Sequence, residues 1–247
     1  MCKLKSAIIL KDRIFMPDYD SHSDMLNELG IRDDYLGASK TFVRAELSPV
    51  NGDVFSDVDT WSLKVDQDIT PDWFDKDESR ERMVQKVKEW AKTHIYVGVD
   101  GLKLSAGQNY YIKDCKDVTI CGSATVEYIC GSATVKNICD SATVEYICDS
   151  ATVKNICDSA TVEYIYGSAT VKNICDSATV KNICDSATVE KAAGFACVSS
   201  SRYSTWANKD ALILTENSTF RDCLNKVIYQ SGDWKLVAVE HQNNAEE

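Results

Sequence analysis

Three groups of residues in this chain are of types that do chemistry. The first is the run Asp18-Tyr-Asp20-Ser-His22-Ser-Asp24. In an extended strand, residues two apart share a face, so Asp18, Asp20, His22 and Asp24 would line one side, and oxygen plus imidazole donors suit a divalent metal. The plainer reading is a solvated loop whose Ser and Asp side chains cap a short helix through Met25, Leu26 and Leu29, stopped by Gly30. The second group is Asp53, Asp57, Asp59, Asp66 and Asp68. Paired carboxylates can act as general acid and base, but acidic loops carry such residues without any chemistry. His94 and His241 have no partner visible in the sequence.

The third group is the cysteines. There are 11, and Cys121, Cys130, Cys139, Cys148, Cys157, Cys175 and Cys184 recur at intervals of nine, with Tyr166 in the one remaining place. Metal sites use Cys or Cys/His pairs at short local spacing, and a ladder spaced by nine lacks that pattern. Packing as a small hydrophobe, or lining a turn as a free thiol, is the simpler reading. There is no P-loop, nucleophile elbow or dinucleotide fingerprint, and the repeats lack the paired glycines of calcium-binding nonapeptide coils. No cofactor is expected.

The elements that must carry these residues are set by the repeat itself. From Cys121 the chain reads CGSATVEYI, CGSATVKNI, CDSATVEYI, CDSATVKNI, CDSATVEYI, YGSATVKNI, CDSATVKNI and CDSATVEK, with S-A-T-V unchanged throughout. Self-similarity at a short fixed period marks a stacked architecture. Ala124 and Val126 share one face of a short strand, joined by Ile129 after a bend, and these form the inner side. Ser123 and Thr125 form the outer side, continued by Thr134, Thr143, Thr152, Thr161, Thr170 and Thr179. Gly122, Asp140 and Asp149 supply turn chemistry.

One strand and one bend make half a coil. The pair after Val alternates EY and KN through the first six copies, a period of 18. A two-sided β-solenoid with 18-residue coils then stacks like on like at roughly 4.8 Å. One side carries Glu127, Glu145 and Glu163 with Tyr128, Tyr146 and Tyr164. The other carries Lys136, Lys154 and Lys172 with Asn137, Asn155 and Asn173. Stacked like charges cost stability, which Lys181 and Glu190 relieve at the column ends. Recent duplication of an 18-residue unit would produce the same alternation with no role for either face. The Ser/Thr arrays resemble the hydroxyl ladders of ice-binding solenoids, although those carry T-x-T where this chain has S-A-T.

The chain has 247 residues and a net charge of −11. That charge argues against a basic nucleic-acid interface and leaves basic partners or nucleic-acid mimicry open. Lys3 and Lys5 precede an apolar run too short for a secretion signal, and no stretch is long enough to span a membrane, so a cytoplasmic setting is expected.

The flanks differ in texture. Residues 1–111 read as an α+β head, with strands over 7–10, 13–16, 41–47 and 61–65 and a helix over 79–93 that aligns Met83, Val87, Trp90 and His94. Short strands near 95–99, 102–104 and 110–112 lead into a solenoid over 112–194 of about four coils. Residues 195–247 read as a small β cap, with strands over 195–198, 211–214, 226–229 and 234–239, and the runs 211–215 and 217–223 suggest either further irregular coils or a small sheet closing the stack. Exposed solenoid ends are open sheet edges, so each flank is expected to cover one.

The repeats place the chain in resemblance to β-solenoid repeat proteins. The segments PDYDSHSDMLNELGI, ASKTFVRAEL and VDQDITPDWF resemble uncharacterised proteins of bacteriophages and of prophages of gut bacteria, over roughly residues 7–95. That resemblance implies a bacterial or phage-infected cytoplasm. The expected function is non-enzymatic: a rigid repeat surface presented to a protein partner, with Glu127, Tyr128, Glu145, Tyr146, Glu163 and Tyr164 as contact residues and inhibition of a host factor as a narrower form. Alternatives are a self-assembling structural protein that forms homo-oligomers, a metal-dependent enzyme at Asp18, Asp20, His22 and Asp24, and an ice-binding solenoid.

Overall fold

The structure, a computed structural model, describes residues 5–231. The chain divides into two compact units, residues 1–99 with 107–115 and residues 100–106 with 116–247.

The first unit is α+β. In chain order it contains β1 (Lys5–Leu10), β2 (Ile14–Phe15), α1 (His22–Glu28), α2 (Tyr35–Lys40), β3 (Phe42–Ser48), β4 (Ser62–Val65) and α3 (Lys76–His94). The strands form an antiparallel sheet in the order β2-β1-β3-β4. Each helix begins at a residue whose side chain takes up orphan backbone donors. Ser21 Oγ accepts from Asp24 N at 3.3 Å, Asp34 from Gly37 N at 2.8 Å, and Asp75 from both Asp77 N and Glu78 N at 2.9 Å. The Asp75 cap starts α3 ahead of the 79–93 span read from its apolar spacing. Met83, Val87 and Trp90 are buried, and the His94 ring stacks on Trp90 with centroids 4.7 Å apart. Ile8, Met25, Leu26 and Phe42 form a core cluster, and Trp61 is also fully buried.

Three short strands follow: β5 (Ile95–Val97), β6 (Lys103–Leu104) and β7 (Tyr110–Lys113). β5 and β7 pair in parallel in the first unit, and β6 belongs to the second.

The second unit is a two-sided β-solenoid. It continues with β8 (Val118–Ile120) and then β9 to β16 (Thr125–Cys130, Thr134–Ile138, Thr143–Ile147, Thr152–Ile156, Thr161–Ile165, Thr170–Ile174, Thr179–Ile183 and Thr188–Ala192). β17 (Cys197–Ser200), β18 (Ile213–Leu214), β19 (Thr219–Asp222) and β20 (Val227–Gln230) complete it. Even-numbered strands from β6 to β18 form one parallel sheet and odd-numbered strands from β9 to β19 the other, with β20 added antiparallel to β19. Thr143 pairs with Thr125 and Val153 with Val135, so the coil is 18 residues. Ala124, Val126 and Ile129, and the same positions in later coils, are fully buried.

Strict alternation would turn Ile129 outward, because it lies three residues after Val126. The pairing instead runs Thr125, Val126, Tyr128, Ile129 against their counterparts and leaves Glu127 out. The same omission falls on Lys136 in the other sheet. Each half-coil therefore bends at its Glu or Lys in step with the coils it pairs with, which sends two successive side chains outward and returns Ile to the core.

Where the sequence reading expects about four coils, the solenoid has about seven turns. The extra turns keep the layer pattern with other residues. Gly194 (φ 66°), buried Ala196 and buried Val198 repeat the Asp-x-Ala-x-Val arrangement, as do Glu216 (φ 60°), buried Ser218 and buried Phe220. The strand expected over 234–239 lies outside the described residues.

Candidate functional site

The turns between strands hold the solenoid's outward faces in place. Asp140, Asp149, Asp158, Asp176 and Asp185 adopt the left-handed conformation at φ 56–58°, which short polar side chains tolerate. Their carboxylates then reach one coil back. Asp140 accepts from Gly122 N at 2.8 Å, Asp149 from Gly131 N at 3.0 Å, Asp158 from Asp140 N at 3.0 Å and Asp176 from Asp158 N at 3.2 Å. Gly122 stands where a Cβ would lie 2.1 Å from Ser105 O, so no side chain fits at that foot of the ladder.

On this frame the odd-numbered sheet carries Tyr128, Tyr146 and Tyr164 as a continuous stack. Their centroids are 4.8 and 5.3 Å apart with planes inclined by 22° and 19°, within the favoured range for aromatic pairs. Tyr128 and Tyr146 are half-buried and Tyr164 is 38% exposed. Burial, followed by the nearby Glu145 carboxylate, raises both the Tyr128 and Tyr146 phenols above the ordinary value. Glu127, Glu145 and Glu163 run beside the stack, and Lys181 closes the column by an ion pair with Glu163.

The even-numbered sheet carries the opposite charge. Asn155 Nδ2 donates to Asn137 Oδ1 at 3.0 Å and Asn173 Nδ2 to Asn155 Oδ1 at 3.2 Å. Lys136 pairs with Asp117 at 3.4 Å. Among the described residues no carboxylate lies within ion-pair range of Lys154 or Lys172. Thr125, Thr134, Thr143, Thr152, Thr161, Thr170 and Thr179 each begin a strand, while Ser123 lies in the preceding turn. The strands thus carry a single rank of threonines on each sheet.

The repeat cysteines, Cys121, Cys130, Cys139, Cys148, Cys157, Cys175 and Cys184, line the corners as free thiols. Burial, with Cys175 and Asp158 nearby, pushes the Cys157 thiol up to about 12. Burial likewise raises Cys139, Cys175 and Cys184. Cys148 moves the other way, because Cys130 and, more weakly, Tyr166 hydrogen-bond to its sulfur and outweigh burial. Cys157, Cys175 and Asp176 bring ligand atoms within 4.8 Å of one another, as do Cys130, Cys148 and Asp149. In both groups the carboxylate is already held by a backbone N–H of the ladder, and Cys157 and Cys175 keep their protons at neutral pH. These corners are poor ligand sets.

The acidic run at the N-terminus is dispersed. Asp18 lies 3.9 Å from His94 Nε2, and its carbonyl accepts from Asn109 at 2.8 Å. Asp20 accepts from Ser6 N at 3.1 Å and lies 3.5 Å from Lys5 Nζ. Asp24 sits in the first turn of α1. Only His22 turns inward, toward Ala45 and Asp66. In the second acidic group, Asp53 and Asp57 accept local backbone N–H groups and Asp59 pairs with Lys88 at 2.6 Å, so these act as turn caps and an ion pair. Strand spacing would place Asp18, Asp20, His22 and Asp24 together, but the chain bends at 18–19 and His22 to Asp24 are already the first turn of α1, not a strand.

No helix among the described residues is long and apolar enough to cross a membrane. In comparison with known proteins, the chain matches no family model, no curated protein and no solved structure, so nothing there supports the likeness of residues 7–95 to phage and prophage proteins.

Proposed function

We propose that the chain is a non-enzymatic interaction protein whose odd-numbered solenoid sheet docks a protein partner through Glu127, Tyr128, Glu145, Tyr146, Glu163 and Tyr164. A β-solenoid is compatible with a repeat binding or structural role, and extended surfaces are what such stacks provide. The observation that carries the reading is the tyrosine stack. Three phenol rings pre-ordered by mutual stacking offer large contact area at little further entropic cost, which is how aromatic anchors serve interfaces. The acidic column beside them selects a basic partner surface. Inhibition of a host factor by a phage-borne protein is the narrower form, resting on the net charge of −11 and the N-terminal resemblance.

The test compares wild type with Glu145→Lys, Glu163→Lys, Tyr146→Ala and Tyr164→Ala combined, by cross-linked capture from a bacterial lysate. A control deletes residues 139–174, two whole 18-residue coils, so that register is kept. A partner lost in both variants, with unchanged far-UV circular dichroism of the substituted chain, supports the assignment. A partner retained by both removes it from the solenoid. A nucleic-acid mimic would in addition compete with DNA or RNA for that partner.

One observation favours a second reading, self-assembly. The Lys154 and Lys172 column on the even-numbered sheet complements the Glu column on the odd-numbered one. Pairing unlike faces of two copies is a heterologous contact that extends rather than closes. Sedimentation would then show mass rising with concentration and falling with salt, and the Glu145→Lys, Glu163→Lys variant would remain monomeric.

A further inference from the structure

In the first unit, His22, Glu46 and Asp66 bring ligand atoms within 4.8 Å of one another. Three elements converge to do this. His22 opens α1, Glu46 lies in β3, and Asp66 follows β4. Glu46 is the cross-strand partner of Lys64, and residues two apart on a strand share a face, so Glu46, Lys64 and Asp66 lie on one side of the sheet.

The His22 ring has a specific difficulty. It is 93% buried by its 7% exposure. Its Nε2 lies 3.2 Å from Ala45 O, and its Nδ1 lies 3.6 Å from Asp66 Oδ2. Both neighbours only accept, and a neutral imidazole carries one N–H. With that hydrogen on Nε2 toward Ala45, the Nδ1 lone pair faces a carboxylate. Something positive belongs between them, either a proton or a metal ion. A backbone carbonyl holding the far nitrogen is also how metal-binding histidines are oriented.

Two further groups favour the metal. Glu46 is 5% exposed, and its carboxylate takes no hydrogen bond among the described residues. Its nearest cation is Lys64 Nζ at 3.8 Å, on a side chain 65% exposed. A proton on His22 would satisfy Asp66 and leave Glu46 as it is. The second group is Ser6, which pairs directly with Glu46 across β1 and β3 and therefore shares its face. Ser6 is fully buried, and its Oγ has no hydrogen-bond partner among the described residues. An ion-bound water would fill that need.

We infer that His22 Nδ1, Glu46 and Asp66 form a binding site for one divalent first-row metal ion, with Ser6 supporting a water on it. One imidazole and two carboxylates suit Mn²⁺, Fe²⁺ or Zn²⁺ with open positions left for water. The +2 charge balances both carboxylates and releases Lys64 to solvent.

Mn²⁺ is the probe to use, since oxygen and imidazole donors suit it, thiols do not, and its free aqua ion is directly detectable. The full chain, kept reduced, is titrated with Mn²⁺ and followed by the electron paramagnetic resonance of the free aqua ion. The expected result is tight uptake of one equivalent. Asp66→Asn, at a half-exposed position, should keep the fold and weaken that uptake about a hundredfold, and Ser6→Ala about tenfold, as losses of a ligand and of an outer partner do. Mn²⁺ should also raise the melting temperature of wild type but not of Asp66→Asn. No uptake by wild type, or uptake equal in wild type and Asp66→Asn, overturns the site.

Discussion

The two units are held together by opposite arrangements. In the solenoid, one layer is repeated: Ala, Val and Ile inside, a left-handed Asp or Gly at each repeat corner, a Tyr or Asn rung outside over most of its length. Every coil bonds to its neighbours in the same way, so losing one contact leaves many equivalents. The first unit has no equivalents. Gln67 Nε2 donates to Ala38 O, Phe42 O and Ile69 O while its Oε1 accepts from Arg44 N, and Arg80 holds the carbonyls of Asp59 and Trp61. Each such bond occurs once. Stability is additive and local in the repeat unit, and concentrated at a few irreplaceable side chains in the other.

Alkali should separate the units most strongly. Thiols and phenols become charged on losing a proton. In the solenoid Cys139, Cys157, Cys175, Cys184, Tyr128, Tyr146 and Tyr166 all titrate above their ordinary values, chiefly because of burial. A raised folded value means that the folded state holds the proton more tightly. The resulting stability is complete below the unfolded values of 9.0 and 10.0 and is lost as pH rises through the folded ones. Cys148, with its lowered value, offsets one of the seven. Tyr19 and Tyr96 are the raised counterparts in the first unit. Between pH 9 and 12 the β signal in circular dichroism should therefore fall before the helical signal, which comes from α1, α2 and α3. Simultaneous loss of both would break the contrast.

Next come side-chain deletions. Trp61 is fully buried and its Nε1 donates to Ser56 Oγ at 3.0 Å. Trp61→Ala should cost about 3–5 kcal/mol, and Val144→Ala, at one layer of many, about 2 kcal/mol. Urea unfolding followed at 222 nm for the first and by amide exchange across β11 for the second would measure them. Equal costs would mean that the repeat does not spread its load.

The same contrast decides what can be read from the residues alone. The 18-residue coil and its Ala/Val/Ile core were legible because eight copies each restate the rule. The degenerate coils were legible only in part: residues 211–215 and 217–223 read as further irregular coils or a closing sheet, but at Gly194-Phe-Ala196-Cys-Val198 and Glu216-Asn-Ser218-Thr-Phe220 only the left-handed residue and two inward positions persist. A search for that sparse triplet would have found them. The neighbours of His22 were beyond reach of local spacing: Glu46 lies in β3 and Asp66 just after β4, both over 20 residues away, and nothing near His22 announces them. The Asp residues of the repeat could be assigned to turns, but their bonds to the coil behind depend on stacking, which a single copy does not display.

The smallest effects test whether the Asp rung itself matters or only its left-handed backbone. Asp158→Ala removes the acceptor of Asp140 N and places Cβ-bearing Ala at φ 56°; it should lower stability by about 1–2 kcal/mol. Gly167→Asp is the converse. Gly167 stands at φ +67°, close to the Asp positions, and a Cβ there would meet Asp149 N at 3.1 Å and Asp149 O at 3.3 Å. Five other half-coils place Asp over a residue at the same turn position, so the approach is tolerable. The new carboxylate would accept from Asp149 N. An added rung and a less flexible unfolded chain gain about 1–2 kcal/mol together, and the left-handed conformation and the charges of Asp149 and Asp185 above and below take back most of it. A net gain of about 0.5 kcal/mol, read as a slightly higher melting temperature, is expected. A loss instead would mean that like charge along the corner outweighs the hydrogen bond, and that Gly167 interrupts the column to relieve it.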